Sequence, residues 1–241
     1  TYGFNPQADV QAVNVRYGQE GNTFDVKIDE KEIKDIYLPM LGDHNIQNAL
    51  ASIAIAHELD ISDTALKKAL RHFQGVNRRF TKTGTVNGIT IVDDYGHHPI
   101  EITAVLKAAR QSLEGTDGKV IAVMQPHRYS RLSELMEEFC SCFNRADTVY
   151  ITDVYAAGEQ PIEGATKERL VEGITAYGHK DVQTVSEMSD LAGLIAEKTS
   201  SGDVVICLGA GDITKYAHEL PQQLEVILNQ SGEKKGSRVT S

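Results

Sequence analysis

The chain has 241 residues, 41% hydrophobic and 24% charged, a balance that suits one large or two ordinary folded domains and excludes collagenous and wholly disordered classes. Its 24 Lys and Arg against 34 Asp and Glu leave a net charge of −10, which repels phosphate backbones and anionic membranes, so nucleic acid and membrane are set aside as partners. No apolar run reaches membrane-spanning length, the opening TYGFNPQADV lacks the order of a secretory signal, and the three cysteines form no Cys-x-x-Cys pattern, all of which points to a reduced, cytoplasmic setting.

The first forty residues alternate in polarity rather than cycling at helical period. ADVQAVNVRY and NTFDVKI flank the turn-like GQEGN, and EIKDIYLPM follows, which predicts a short antiparallel sheet stopped by Pro39 and Gly42. HNIQNALASIAIAHEL then reads as an Ala-rich helix, and a second helix runs from about Ser62 to Phe73 with Ser62 or Asp63 as its cap. GVNRRF is a Gly-led connection at which the pattern changes, so a domain boundary is expected there, with residues 1–78 before it and 79–230 after it.

Beyond it, the strand-like runs ITIVDD, KVIAVMQ, TVYITDV, VQTVS and VVICLG alternate with PIEITAVLKAARQSL, SRLSELMEEFCSCFNR, TKERLVEGITAY, SEMSDLAGLIAEKT and ITKYAHELPQQLEVILNQ, all amphipathic and helical in period. Strand and helix repeated about five times predict an α/β fold with a Rossmann-like, doubly wound, mostly parallel sheet. The polar, aperiodic stretch 231–241 is expected to be a disordered tail.

Ligands of open parallel sheets bind beyond the carboxyl ends of the strands, and here those ends carry the polar chemistry. Asp93-Asp94-Tyr95-Gly96-His97-His98-Pro99 follows one strand, and Gln125-Pro126-His127-Arg128-Tyr129-Ser130-Arg131 the next. Asp153-Val154-Tyr155-Ala156-Ala157-Gly158-Glu159 and Gly209-Ala210-Gly211-Asp212-Ile213 follow two more. Asp93 and Asp94 either cap the helix at Pro99 or accept ribose hydroxyls. His97 and His98 project differently and have no third ligand at metal spacing nearby. Arg128 and Arg131, three apart at a helix entry, either bind a carboxylate or phosphate or are solvated beside Glu134, Glu137 and Glu138. GAGDI is either an anion cradle or a tight strand-to-helix turn. Asn45 and Asn48 either meet an adenine edge or cap and solvate their helix, and Arg78 and Arg79 either pair across the boundary or contact phosphate. No Gly-x-x-x-x-Gly-Lys-Ser/Thr phosphate loop and no Gly-x-Ser-x-Gly elbow occurs.

Taken in order, GDHNIQNALA, GVNRRF, DDYGHHP, QPHRYSR and GAGDI resemble the Mur ligase family, ATP-dependent enzymes that add amino acids to the cytoplasmic precursor of bacterial cell wall. The segments DDYGHHP and QPHRYSR look like the members that join L-alanine to UDP-N-acetylmuramate through an acyl phosphate. The resemblance covers the end of the central ATPase domain and the whole C-terminal domain. The phosphate loop, the Mg²⁺ ligands and the UDP-sugar domain of such ligases would lie upstream, which implies a chain inactive on its own.

By motif match, Asn45 and Asn48 would contact adenine, Arg79 the ATP phosphates and Asp94 the ribose. His97 and His98 would line the catalytic cleft, while His127, Arg128 and Arg131 would bind the alanine carboxylate and substrate anions. Two other readings are a ligase that recycles murein tripeptide, whose second motif should lack the His-Arg-Tyr-Ser-Arg run, and a non-catalytic module that binds a nucleotide or amino acid.

Overall fold

The computed structural model describes residues 1–236, with side chains to residue 230. The chain divides into two compact units: Thr1–Val76 with Lys107–Glu114, and Asn77–Leu106 with the residues from Gly115 onward. The division after Val76 falls inside GVNRRF, whereas the grouping of Lys107–Glu114 with the first unit has no counterpart in a reading along the chain.

In the first unit, β1 (Tyr2–Gly3), β2 (Val10–Tyr17), β3 (Asn22–Ile28) and β4 (Lys31–Leu38) lie side by side in that order. The expected antiparallel meander is β2 to β4, and β1, too short to show a period, adds to β2 in parallel. Helices α1 (Asp43–Glu58) and α2 (Asp63–Arg71) bury Ile46, Leu50, Ile53, Leu66 and Leu70 in one core with Phe24, Val26, Ile36 and Leu38. Ser62 caps α2, its hydroxyl accepting the Ala65 N–H at 3.4 Å.

The second unit is built on a six-stranded sheet of β5 (Thr81–Val86), β6 (Ile89–Asp94), β7 (Val120–Met124), β8 (Thr148–Ile151), β9 (Val182–Thr184) and β10 (Val204–Leu208). Their order is β5-β6-β10-β7-β8-β9, parallel except for β5, an antiparallel edge strand that the polar TKTGTV does not announce. The helices of this part of the chain are α3 (Pro99–Ser112), α4 (Tyr129–Glu134), α5 (Met136–Ser141), α6 (Lys167–Ala176), α7 (Leu191–Lys198) and α8 (Ile213–Gly236).

Two expectations are corrected. SRLSELMEEFCSCFNR forms two short helices, because Leu135 leaves helical geometry at φ −116°, ψ 26°. The final helix continues to Gly236, so the disordered tail expected from residue 231 is helical to that point, and residues 237–241 lie outside the described residues.

The register fixes where the chemistry sits. Leu208 at the end of β10 pairs with Asp94 on one side and Met124 on the other, and Met124 pairs with Ile151. The carboxyl ends of four parallel strands are therefore level, and the four polar segments that follow them leave from one edge of the sheet.

Candidate functional site

Tyr95, His97, His98, His127, Arg128, Ser130 and Arg131 line a single cleft of about 600 Å³ beyond these strand ends. The segments after β6 and β7 make most of it, and backbone pairing ties the second of these to the segment after β8. Past the end of β7 and β8, His127 and Tyr155 form a parallel bridge, with Tyr155 N–H donating to Pro126 O at 2.8 Å and Arg128 N–H to Tyr155 O at 2.9 Å. Their rings stack with centroids 5.4 Å apart and planes 13° from parallel. Arg128 adopts φ 71°, a left-handed conformation uncommon for a residue with a side chain, and this turns the chain into α4.

The two arginines are held differently. Arg131 donates from Nη1 to His127 O at 3.0 Å and to His127 Nδ1 at 3.2 Å. A guanidinium only donates, so His127 Nδ1 is the acceptor and its ring proton is on Nε2. Burial, together with the charges of Arg131, His97 and Arg128, lowers the His127 pKa and keeps the ring neutral. Arg128 instead faces a carboxylate, with Nη1 3.5 Å from Glu159 Oε1, and half of its side chain is exposed.

His97 sits between Tyr95 and His127, at centroid distances of 5.1 Å and 5.9 Å. Its Nδ1 is 2.9 Å from Tyr95 O, which places a proton on Nδ1. Glu101 accepts the N–H groups of His97 and His98 at 3.1 and 3.2 Å, so the start of α3 is capped by Glu101 and not by Asp93 or Asp94. Burial opposes the Glu101 charge, but those amides and the nearby His97 and Arg79 side chains outweigh it and hold its carboxyl below the ordinary range. Among the described residues, no group of three His, Cys, Asp or Glu side chains is placed to hold a metal.

The two aspartates point inward. Asp94 is 2% exposed, with one oxygen accepting Gly96 N–H at 2.7 Å and the other Phe80 N–H at 2.7 Å. The ribose contact implied by resemblance would fall on a side chain that is turned inward, with each oxygen already accepting one main-chain donor. Asp93 is fully buried and accepts the Thr214 hydroxyl at 2.6 Å, with Arg78 Nε 3.7 Å away.

The adjacent arginines, equivalent in sequence, also part. Arg78 stacks on Tyr95 at 4.8 Å and donates to Gly209 O at 2.5 Å, pinning the glycine loop. Arg79 is half exposed, 3.7 Å from Glu101 Oε1.

GAGDI resolves as a packed turn. A Cβ on Gly211 would lie 2.3 Å from Gln125 Oε1 and 2.7 Å from the Tyr155 ring, and one on Gly209, at φ 149°, 2.9 Å from Gln125 O. Gln125 also accepts Ile213 N–H at 3.1 Å and donates to Asp212 at 2.7 Å, so a side chain occupies the start of α8.

In the first unit, Asn45 is buried with its amide donating to Leu41 O at 2.8 Å, and Asn48 is exposed. Sequence reasoning did not single out Tyr95, Ser130, Tyr155, Glu159 or Gln125 as site residues, and it weighed Arg78 only as an ion-pair or phosphate contact beside Arg79. Their presence in strand-end segments was the available signal, but their pairings are made far along the chain.

Residues 1–56 match the Mur ligase middle domain, and residues 78–211 match the family described as Mur ligase, glutamate ligase domain. The chain is 53% identical over 238 residues to the UDP-N-acetylmuramate–L-alanine ligase of Rhodospirillum centenum, covering 96% of the chain and 49% of that protein. It is 55% identical over 233 residues to the ligase of the same name from Bradyrhizobium sp. strain BTAi1, covering 94% and 49%. The chain thus spans about half the length of the curated relatives it matches. Among solved structures, UDP-N-acetylmuramate-alanine ligase from Thermotoga maritima superposes with a TM-score of 0.75 at 26% identity, covering 96% of this chain and 48% of that one. A murein peptide ligase from Psychrobacter arcticus shares the fold, with a TM-score of 0.59 at 23% identity over 93% of this chain and 46% of its own.

Proposed function

The chain belongs to the Mur ligase family, and we propose that it is part of an ATP-dependent ligase that joins L-alanine to UDP-N-acetylmuramate in peptidoglycan synthesis in the cytoplasm. The observation that carries this reading is the cleft in which Arg128, Arg131, His127 and His97 converge at level strand ends, on a chain 53–55% identical to ligases named for that reaction.

In this reading Arg128 and Arg131 bind the carboxylate of the incoming amino acid, a planar anion that suits planar guanidinium forks. His127, neutral and fixed in one tautomer by Arg131, adds an Nε2–H donor. His97 in its neutral form, with its proton on Nδ1, offers Nε2 to the proton that the alanine ammonium must lose, and His98 lines the same side of the cleft. The freed amine then attacks the acyl carbon, the new C–N bond forms, and the bond to the phosphate oxygen breaks, the departing phosphate taking the second proton of the amine. No side chain of the chain is a covalent nucleophile in this scheme, and the protein contributes position and charge.

The residues present do not fit a complete nucleotide site. No phosphate loop occurs in the 241 residues, and no cluster among the described residues suits Mg²⁺. Exposed Asn48, buried Asn45 and half-exposed Arg79 are proposed only as the parts of the adenine and phosphate contacts that this chain supplies. Titration of the ¹⁵N-labelled chain with L-alanine tests the reading, since shifts should cluster at residues 95–98 and 125–131. A stronger response to murein tripeptide than to L-alanine, or none to either, would reject it.

A further inference from the structure

We propose that Glu159 is a positioning residue that fixes the Arg128 guanidinium and, through its own charge, restricts the cleft to a singly charged carboxylate. The inference rests on the reading of the cleft as an amino-acid carboxylate site and adds the element that sets its selectivity. Glu159 ends the segment after β8, where Ala157 at φ 50° and Gly158 at φ 87° turn the chain back toward α4. There its Oε2 accepts Ser130 N–H at 3.0 Å and its Oε1 accepts the Ser130 hydroxyl at 2.7 Å, while Arg128 Nη1 lies 3.5 Å from Oε1. The Ser130 amide and hydroxyl hold its carboxyl below the ordinary range, so it is charged at neutral pH.

The consequence follows from the contrast with Arg131. That guanidinium is oriented by a carbonyl and a neutral imidazole, which leave its charge undiminished. Arg128 is oriented by an anion, which offsets part of its charge and leaves its other donors for a ligand. A monoanionic carboxylate gains from a guanidinium already held in place. A dianion such as phosphate gains more from charge than from orientation and meets Glu159 as a like charge, in addition to Glu134 on the cleft wall. Removing the Glu159 charge should therefore strengthen dianion binding while weakening that of a carboxylate, a crossed effect that loss of a purely structural contact does not produce.

The test uses the 241-residue chain at pH 8, with L-alanine and inorganic phosphate as separate probes followed by calorimetry. Glu159→Gln retains an acceptor for the Ser130 amide but carries no charge. It should bind phosphate at least fivefold more tightly and L-alanine at least fivefold more weakly than wild type. Glu159→Asp keeps the charge but shortens the reach, so it should exclude phosphate as wild type does and still lose alanine affinity. If the Gln variant does not fold, wild-type alanine affinity in the Asp variant overturns the proposal by itself.

A phosphate-to-alanine affinity ratio within twofold of wild type in a folded Gln variant would also overturn it, with the alanine reading intact. Tighter phosphate binding in that variant, when wild type binds no alanine, would reject the alanine reading and keep the control by Glu159 charge. If neither probe binds, rotation of the Arg128 guanidinium read by ¹⁵N NMR decides. It should be slow in wild type and fast in Glu159→Gln, and equal rates would overturn the proposal.

Discussion

Arg128 and Arg131 occupy one turn of chain, yet their partners predict different costs for the same substitution. Lysine at 131 loses the Nη1 that donates to both His127 O and Nδ1, so Arg131→Lys should cost roughly 1 kcal/mol of stability as well as alanine affinity. Lysine at 128 gives up one long ion pair on a half-exposed side chain, so stability should stay within about half a kcal/mol while L-alanine binding weakens roughly tenfold. Calorimetric titration alongside thermal unfolding of both variants checks the split, and unaltered binding in both would return the pair to a solvated surface.

Asp94 gives a second prediction at this scale. Burial outweighs the Gly96 and Phe80 amides and the nearby Arg79, pushing its carboxyl up from 3.8 to about 6. The folded chain therefore holds a proton between about pH 4 and 6 that the unfolded chain has released. This contribution is fully present at low pH and is lost as pH rises through about 6, with a magnitude of about 3 kcal/mol. Asn cannot titrate, so the stability of wild type relative to Asp94→Asn should grow by about 1.4 kcal/mol, roughly half of the total, between pH 7.5 and pH 5 in urea unfolding. A difference that stays flat with pH would show that Asp94 is charged in the folded state throughout.

At the scale of elements, apolar period carried most of the fold. The buried β-branched runs of β6, β7, β8 and β10 and the helices between them stand out because their neighbours are polar, and the rim of strand ends follows from parallel order alone. Period fails where pairing is tertiary. The edge strand β5 is mostly polar, and Leu135 breaks a helix whose composition is continuous. In the site, residue types were legible but directions were not: Asp94 differs from a ribose ligand only by pointing inward, and Arg78 differs from Arg79 only by which faces the glycine loop. Glu159 meets Ser130 across 29 positions, beyond any local pattern.

Packing between α5 and α6 is a case of this kind. A Cβ on Gly173 would stand 2.3 Å from Cys140 Sγ, so the glycine that weakens α6 as an isolated helix is what admits α5. Gly173→Ala should lower stability by roughly 1–3 kcal/mol despite alanine's better helix propensity. Chemical denaturation would contradict this if the variant were as stable as wild type or more so.

At the scale of the molecule, each unit has its own apolar core, one around Phe24, Ile36 and Leu50 and the other around Ile91, Val123 and Val205. The groups proposed for the amino acid lie in the second, whereas phosphoryl transfer requires a clamp that holds the nucleotide phosphates and their metal. Neither a phosphate loop in the 241 residues nor a metal-ligating cluster among the described ones supplies that clamp. Binding and turnover should therefore come apart. The purified chain should show L-alanine-dependent shifts at the strand-end cleft, yet, given ATP, Mg²⁺, UDP-N-acetylmuramate and L-alanine, release no phosphate above buffer. Alanine-dependent phosphate release that survives repurification and disappears in Arg131→Lys would mean that these residues build a phosphoryl-transfer site by another route. Release that is indifferent to the cleft variant would trace to a contaminant. The same preparation can be followed by hydrogen exchange. Amides of β7 and β10, central in a sheet whose interior strands are buried, should exchange last, and those of β2 to β4 earlier, since a four-stranded sheet with two helices buries less apolar surface. Equal protection in the two sheets would show that they open together, and cleft variants should then be compared on the stability of the whole chain.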